Sequence, residues 1–184
     1  MDTAQLIQEA KGGSMAAQKC LYDAWAAKMM LVGLRYMKNE QDAEEAMLDG
    51  FYKFFNHLQG FTYHNDAALY GWLKKIMVNE CLLRLRKKNV FTIVSEEAAA
   101  AVTLDENALA ALSAKEILNL VVQLPVGYRT VFNLYVLEGM EHKQIAALLG
   151  ITEGTSKSQL SKARVLLQKK LLNDAPGYAR QQSK

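Results

Sequence analysis

Apolar residues recur every three or four positions through most of the chain, the spacing that places them on one face of an α-helix. Glycine, proline and short polar runs interrupt this period at intervals typical of helix ends. Alanine, leucine, lysine, glutamine and glutamate dominate the composition, while runs of β-branched residues are nearly absent. The pattern predicts an all-α protein, and 184 residues suit one medium domain or two small ones.

The first half of the chain predicts three helical blocks joined by short breaks. The first block is interrupted at Gly12-Gly13-Ser14, where Ser14 is a candidate N-cap, and Asn39 at its end is a candidate left-handed stop. Gly60 ends the second block, and a short loop at 61–66 leads into the third. The blocks cover about residues 3–39, 41–59 and 67–88.

A change in composition separates this half from a second helical region. Residues 89–103 lose the helical period and contain an acidic pair and an alanine run, which favours an interdomain linker. The period then returns, and four helices are predicted: one ending at about Leu124, then Pro125 to Glu138, Glu141 to Leu149, and Thr155 to about Leu172. The expected organisation is two small helical domains at 1–88 and 113–175, joined by a flexible acidic linker at 89–112, with a frayed tail at 176–184.

Charge is unevenly distributed along these segments. The net charge is +3, but residues 89–112 carry four acids and no base, whereas residues 113–184 carry ten bases and five acids. From Thr155 onward, seven lysines and arginines accompany a single acid, Asp174. Such a cluster favours a polyanionic partner, although a solvated helical surface produces the same count.

Composition and cysteine placement exclude several classes of protein. Hydrophobic residues make up 51% and charged residues 22% of the chain, which favours a packed core over disorder. No apolar run reaches the length of a membrane span, and the first residues lack the features of a signal peptide. Cys20 and Cys81 stand far apart in helical patterns, where we expect small buried apolar side chains. These features predict a protein of a reducing cytoplasm.

Residues 144–164 have the form of a helix-turn-helix. Gly150 permits the sharp turn between a short helix and a long one, which would project into a major groove of DNA. Apolar packing is expected from Ile145, Leu148, Leu149 and Ile151. An ordinary helical hairpin with a basic surface is the alternative interpretation.

A helical wheel assigns faces to the long helix. Leu160, Ala163 and Leu167 share one face, and Ser156 falls on the same core side. Lys157 and Arg164 line one edge, and the residues predicted to point away from the core are Ser158, Ser161 and Lys162. Small polar and basic side chains at the start of such a helix suit base edges and phosphates.

The second helix of the first half is sharply two-faced. Its apolar side consists of Ala43, Met47, Phe51, Phe54 and Leu58. Asp42, Glu45 and Asp49 form an acidic stripe on the other side, which is either a solvated face or a docking surface.

The third helix carries aromatic, apolar and basic residues. Trp72, Ile76 and Leu83 share a face and are predicted to lie in the core. The neighbouring edge aligns Lys75, Asn79 and Arg86.

The C-terminal half resembles the promoter-binding fourth region of the extracytoplasmic-function sigma factors of bacterial RNA polymerase. The resemblance rests on Leu124-Pro125, Tyr128-Arg129, Val131-Phe132, Glu138-Gly139, Ile145-Ala146, Leu149-Gly150-Ile151, Gly154-Thr155, Lys157-Ser158 and Ala163-Arg164. Ser156 stands where the family often has valine, and Gln159 stands where arginine is frequent. The resemblance implies that the minus-thirty-five DNA element is contacted by Thr155, Lys157, Ser158, Gln159, Ser161, Lys162 and Arg164, with glutamine able to pair with adenine.

The N-terminal half is similar to the second region of the same family. Asp42-Ala43-Glu44-Glu45 and Phe51 match the helix that docks on the polymerase clamp, with Leu48 in place of a frequent glutamine. The resemblance implies core-polymerase binding by Asp42, Glu45, Leu48 and Asp49. It also implies that the loop at 61–66 forms a pocket for a flipped base, with Phe61 as a core anchor. The implied minus-ten contacts are Tyr63, His64, Asn65, Lys75, Asn79 and Arg86.

The resemblance covers about residues 5–88 and 113–172 and implies a binding function without chemistry of its own. A sigma factor binds RNA polymerase core, through the clamp of the beta-prime subunit and the flap of the beta subunit, and directs it to promoter DNA. An anti-sigma factor is the implied regulator, and the acidic linker would lie along the polymerase channels. We expect no catalytic residue, cofactor, metal or small-molecule substrate.

Three other interpretations remain. An enzyme is disfavoured, because His57, His64 and His142 are scattered and no phosphate loop or nucleophile motif occurs. A stand-alone helix-turn-helix regulator shares the C-terminal half but does not require the acidic stripe, the basic third helix or the aromatic loop. A degenerate sigma-like protein is compatible with Leu48, Ser156 and Leu83, the last replacing a frequent family aspartate.

Overall fold

The computed structural model describes residues 2–87 and 114–174. The chain divides into two compact units, each of which contains one of these ranges, and we describe them separately. Over the described ranges the ordered elements are helices, without a strand, which confirms the all-α prediction. The predicted linker at 89–112 and tail at 176–184 lie outside the described residues.

Over residues 2–87, the first unit is built from four α-helices. They are α1 (Thr3–Lys11), α2 (Met15–Tyr36), α3 (Glu40–His57, continued by a 3₁₀ turn at Leu58–Gly60) and α4 (Asp66–Lys87). Helices α2, α3 and α4 pack against one another, and α1 packs on α2. The buried side chains of this core include Leu21, Met29, Phe54, Leu73 and Met77.

Helix ends follow local capping chemistry in the first unit, with one correction. The Ser14 side chain accepts a hydrogen bond from the Ala17 backbone N–H at 3.3 Å, as predicted for an N-cap. Asn39 is not a left-handed stop: it is extended, with a φ of −121°, and its side chain caps the start of α3. The preceding helix ends earlier, at Tyr36. A short polar side chain serves either role, and the acidic first turn of α3 favoured the N-cap.

The predicted core faces of α3 and α4 are only partly confirmed. All five apolar residues of the α3 face are buried. On α4, Trp72 and Ile76 are partly buried, but Leu83 is 38% exposed, so its assignment to the core was wrong. The buried face of α4 runs instead through Leu69, Leu73, Met77 and Glu80, because two neighbouring helices cover it.

The two cysteines differ in environment. Cys81 is buried as expected, and desolvation raises the pKa of its thiol to about 12, which keeps it protonated. Cys20 lies exposed on α2, so the prediction that it is buried was wrong. The apolar face of α2 passes through Leu21 instead.

Over residues 114–174, the second unit contains four helices, as the sequence predicted. Its helices are α5 (Ala114–Val122), α6 (Val126–Phe132, continued by a π-helical turn at Asn133–Leu137), α7 (His142–Leu149) and α8 (Glu153–Asp174). Helix α8 packs against α5, α6 and α7 and is the centre of this unit. It begins two residues earlier than predicted, because the Thr152 hydroxyl accepts a hydrogen bond from the Thr155 N–H at 3.0 Å and caps it.

The turn between α7 and α8 has the geometry that the sequence predicted. Gly150 is left-handed, with a φ of +69°, a conformation that side chains with a Cβ rarely adopt. Ile145 and Leu149 before it are buried, as are Leu160, Ala163 and Leu167 of α8. The helix-turn-helix form is therefore present in the second unit.

An arginine lies inside the second unit. Arg129 on α6 is 1% exposed, and its Nη1 atom donates to the Val122 carbonyl oxygen at 2.8 Å and to that of Leu124 at 3.4 Å. Burial lowers the pKa of this guanidinium. The contact satisfies carbonyls at the end of α5, where a helix lacks internal donors.

Within residues 2–87 and 114–174, no helix combines the length and apolar character needed to cross a membrane.

Candidate functional site

The acidic stripe on α3 is paired with a cation from α4. Arg84 Nη1 donates to Glu45 Oε2 at 2.8 Å, and Nη2 donates to Asp49 Oδ2. Partial burial opposes the charge on Arg84, but the hydrogen bonds to Asp49 and Glu45 outweigh it and raise the pKa of this group. The two carboxylates remain about half exposed, so they keep oxygen atoms available to a partner.

The third member of the stripe has a local role as well. Asp42 Oδ2 accepts a hydrogen bond from the Asn39 amide at 2.8 Å, and its backbone N–H donates back to Asn39 Oδ1 at 2.7 Å. Asp42 is therefore held at the first turn of α3, where the helix dipole favours a carboxylate.

Apolar side chains lie beside this stripe. Leu48, one of the residues that the resemblance assigned to polymerase binding, is 49% exposed. Tyr52, one helical turn further, is 70% exposed and was not predicted. Its spacing of four from Leu48 and three from Asp49 is the sequence signal that places it on this face. Exposed apolar residues next to charges are typical of protein interfaces.

The loop that precedes α4 is anchored at both ends. The Phe61 ring stacks on Trp72 with a centroid distance of 4.4 Å and an interplanar angle of 4°. Asn65 Oδ1 accepts from the Ala68 N–H at 2.8 Å and so caps α4. Tyr63 donates its hydroxyl hydrogen to Asp66 Oδ1 at 2.9 Å, and that bond is the main cause that raises the pKa of Tyr63.

The three loop residues predicted to contact a base therefore differ in which of their groups remain accessible. His64 is exposed, Tyr63 presents its ring with the hydroxyl engaged, and Asn65 has one amide oxygen committed to the helix cap. The predicted edge of α4 is also exposed, with Lys75, Asn79 and Arg86 along it.

The start of α8 presents most of the predicted DNA-facing side chains. Lys157 is exposed and pairs with Glu153 at 2.7 Å, while Arg164 lies 6.0 Å from the centre of the Tyr135 ring. The remaining predicted contacts keep partial exposure: Thr155, Ser158, Ser161 and Lys162.

Gln159 is the exception. It is 3% exposed, and a Cβ on Gly127 of α6 would lie 3.2 Å from its Oε1 atom. The prediction that Gln159 faces DNA is therefore wrong in this structure. On a wheel at 100° per residue, Gln159 lies about 40° from the core residue Ala163. The missing side chain at Gly127 leaves room for it, which only the packing of α6 on α8 reveals.

A polar contact between the two helices of the turn motif was missed by sequence reasoning. Ser156, fully buried as the wheel predicted, has its hydroxyl 2.9 Å from Nδ1 of His142. The His142 ring also stacks on Tyr135 at a centroid distance of 4.5 Å. The polar pair thus occupies a position where an aliphatic side chain would otherwise pack.

The surroundings of His142 favour its neutral form. Desolvation is the main cause that lowers its pKa from the ordinary 6.5, the positive charge of Lys157 adds to it, and Glu153 opposes it. As pH falls through the range below 6.5, the unfolded chain takes up the proton first. The stability of the second unit therefore decreases as pH falls through this range.

Replacing His142 with Phe is expected to destabilise the chain by about 1–3 kcal/mol, because the buried Ser156 hydroxyl loses its partner. Adding Ser156→Val should restore most of the loss by making both positions apolar. Urea unfolding followed by circular dichroism measures both variants. Equal stability of the single and double variants would contradict the assigned contact.

Each of the two units matches one family of known proteins. The family described as "Sigma-70 region 2" matches residues 21–90, and the family described as "Sigma-70, region 4" matches residues 114–167. The chain is 30% identical over 139 residues to "ECF RNA polymerase sigma factor SigM" of Mycobacterium tuberculosis, covering 71% of this chain. The chain belongs to the extracytoplasmic-function sigma factors.

Further relatives of this sigma factor cover most of its length. "RNA polymerase sigma-H factor" of Pseudomonas aeruginosa is 26% identical, covering 91% of this chain and 92% of that protein. "ECF RNA polymerase sigma factor SigW" of Bacillus subtilis is 25% identical, covering 90% and 94%. The chain spans only 64% of the length of SigM. A solved structure of CnrH in complex with the cytosolic domain of CnrY covers 94% of this chain at 20% identity and a TM-score of 0.47.

The family matches contain the candidate surfaces. The region 2 match includes the acidic stripe, the loop at 61–66 and the edge of α4. The region 4 match includes the turn motif and the start of α8 up to residue 167. Helix α1 precedes both matches.

Proposed function

We propose that this chain binds RNA polymerase core and directs promoter-specific transcription initiation. The observation that carries the proposal is the presence, in one chain, of a region 2 unit with an acidic and apolar face and a region 4 unit with a helix-turn-helix. In this function the first unit binds the polymerase clamp and the minus-ten element, and the second unit binds the minus-thirty-five element. Bond formation belongs to the polymerase.

The clamp-binding surface consists of Asp42, Glu45, Leu48 and Asp49. Half-exposed carboxylates attract a basic partner, and the exposed Leu48 supplies apolar area that a docked protein would bury. Tyr52 extends this surface by one helical turn. The mixture of charge and apolar contact suits a protein partner better than a nucleic acid.

Minus-ten recognition is assigned to the loop and the adjoining edge of α4. The Tyr63 ring and the exposed His64 suit stacking and edge contacts with an unpaired base, and Asn65 retains its amide nitrogen as a donor. Lys75, Asn79 and Arg86 continue from the loop along an exposed edge, where they would contact the neighbouring DNA strand.

Minus-thirty-five recognition is assigned to the start of α8. Its contacts are Thr155, Lys157, Ser158, Ser161, Lys162 and Arg164, without Gln159. Lysine and arginine suit phosphates, while threonine and serine reach base edges at close range. The left-handed Gly150 sets the angle at which α8 leaves α7 and enters the groove.

The proposal extends to partners and compartment. The polymerase clamp belongs to the beta-prime subunit, the second unit meets the flap of the beta subunit, and an anti-sigma factor holds the chain inactive. These interactions take place in the cytoplasm.

Co-elution with purified bacterial RNA polymerase core, followed by run-off transcription from a genomic promoter library, tests the proposal. Stoichiometric binding with new, specific start sites is expected, and the start sites identify the promoter. Binding without new starts would favour a degenerate sigma-like protein. Absence of core binding together with tight dimeric binding to duplex DNA alone would favour a conventional helix-turn-helix regulator.

Neutralising two cations on α8 should weaken promoter binding by the holoenzyme in a salt-dependent manner. For Lys162→Gln combined with Arg164→Gln, we expect the slope of log affinity against log salt to become shallower by roughly 1.8, since each phosphate contact contributes about 0.9. Filter binding over a range of salt concentrations measures this slope. Lys169→Gln, at an exposed position further along α8, is the matched control and should leave the slope unchanged.

A further inference from the structure

The loop at 61–66 is tied to the C-terminal end of α1. Gln59, just before the loop, donates from Nε2 to the Lys11 carbonyl oxygen at 2.6 Å. The Lys11 ammonium in turn donates to the Phe61 carbonyl oxygen at 2.7 Å, across 50 residues of sequence. One residue of α1 therefore accepts from the turn before the loop and donates to the first residue of the loop.

The first residue of the loop is fixed from two directions. Its ring stacks on Trp72 of α4, and its backbone N–H donates to the Leu58 carbonyl oxygen at 3.1 Å. The Lys11 contact fixes the remaining backbone group, the carbonyl of Phe61. A charge-assisted hydrogen bond to a partly buried carbonyl is stronger than one between neutral groups. The direction in which the chain leaves Phe61 toward Tyr63 is thereby determined.

Helix α1 is itself packed against the rest of the first unit. Ile7, Leu6 and Ala10 are buried against the rest of the bundle, and Gln18 of α2 donates to the Ala10 carbonyl oxygen at 3.5 Å. Helix α1 is therefore held against α2, and its Lys11 end lies at the turn that precedes the loop.

We propose that Lys11 is a positioning residue that holds the loop in the conformation in which it receives an unpaired base. A loop that is ordered before binding loses less conformational entropy when a base docks, so the tether increases affinity without touching DNA. Helix α1 lies outside the region 2 match, which begins at residue 21. This inference rests on the proposed minus-ten role of the loop.

Amide hydrogen exchange tests the tether independently of any promoter. In the full chain, Lys11→Met keeps the aliphatic stem but removes the donor, and we expect exchange at Phe61 to become about tenfold faster, with the melting temperature lowered by only several degrees. Lys11→Arg keeps a donor and should stay within about twofold of the original chain. Lys19→Met is the matched control, since Lys19 pairs only locally with Asp23 on the surface of α2. Unchanged exchange in Lys11→Met would overturn the tether.

A forked promoter fragment with its minus-ten bases already unpaired tests the consequence. Holoenzyme carrying Lys11→Met should bind this fork about tenfold more weakly, with Lys11→Arg restoring binding and core affinity equal in all variants. Equal fork binding by Lys11→Met, alongside faster exchange, would overturn the positioning role. If the holoenzyme with the original chain does not bind the fork, the proposed function is contradicted. The hydrogen-exchange result would then still show whether Lys11 holds the loop.

Discussion

Replacing Glu45 with Gln and Asp49 with Asn is expected to lower the affinity of the chain for RNA polymerase core about a hundredfold, which corresponds to about 2.7 kcal/mol. The expected size of this loss follows from the ion pairs that the acidic stripe makes with Arg84. Arg84 contacts both carboxylates, so this cluster carries two negative charges and one positive charge. Neutralising both acids leaves the guanidinium alone and reverses the sign of the cluster. A basic clamp surface would then meet repulsion where it had met attraction.

Surface plasmon resonance with immobilised core enzyme measures this change. Glu44→Gln removes one exposed acid from the same helix, outside the Arg84 cluster, and should change the affinity less than threefold, roughly the worth of an exposed charge. The loss should shrink as salt rises, since exposed charges are screened. Unchanged core affinity in the double variant would exclude the stripe as a docking surface.

Replacing Arg129 with Ala is expected to destabilise the second unit by about 4 kcal/mol. The variant removes a fully buried side chain, which leaves a cavity comparable to that of a deleted large core residue. It also deprives the carbonyls of Val122 and Leu124 of their donor. Since a typical domain is stable by only about 5–15 kcal/mol, this loss approaches unfolding.

The positions of the two tryptophans allow this effect to be assigned to one unit. Trp25 and Trp72 both lie in the first unit, so tryptophan fluorescence follows only its unfolding. In urea, Arg129→Ala should shift part of the helical circular dichroism signal to lower concentration while the fluorescence midpoint stays unchanged. Lys169→Ala, exposed on α8, serves as the control. Coincident, unshifted transitions would show that Arg129 does not support the second unit.

The separation of the two effects has a functional consequence. The Arg129 variant should retain clamp binding, because the first unit is intact, but lose the flap contact and minus-thirty-five DNA binding. The variant at Glu45 and Asp49 should show the reverse, since it leaves the second unit folded. Comparing both variants in core-binding and DNA-binding assays distinguishes the roles of the two units.

Features that depend on neighbours along the chain could be predicted from the amino-acid sequence. The helical period placed the apolar side of α3 correctly, from Ala43 to Leu58, because one helix face is set by spacing alone. Ser14 as a cap and Gly150 as a left-handed turn follow from the chemistry of single residues. The motifs were specific enough to predict the family, since they span both units.

The pattern of the sequence could not predict which helix faces are covered or which charged side chains pair. Arg84 lies 39 residues from Glu45 in sequence, and Lys11 lies 50 from Phe61, so no local pattern pairs them. Gln159 is buried because Gly127 on another helix leaves room for it, and Leu83 is exposed because the packed face of α4 passes elsewhere. A helical period gives the direction of each side chain, whereas its partner depends on how separate helices pack together.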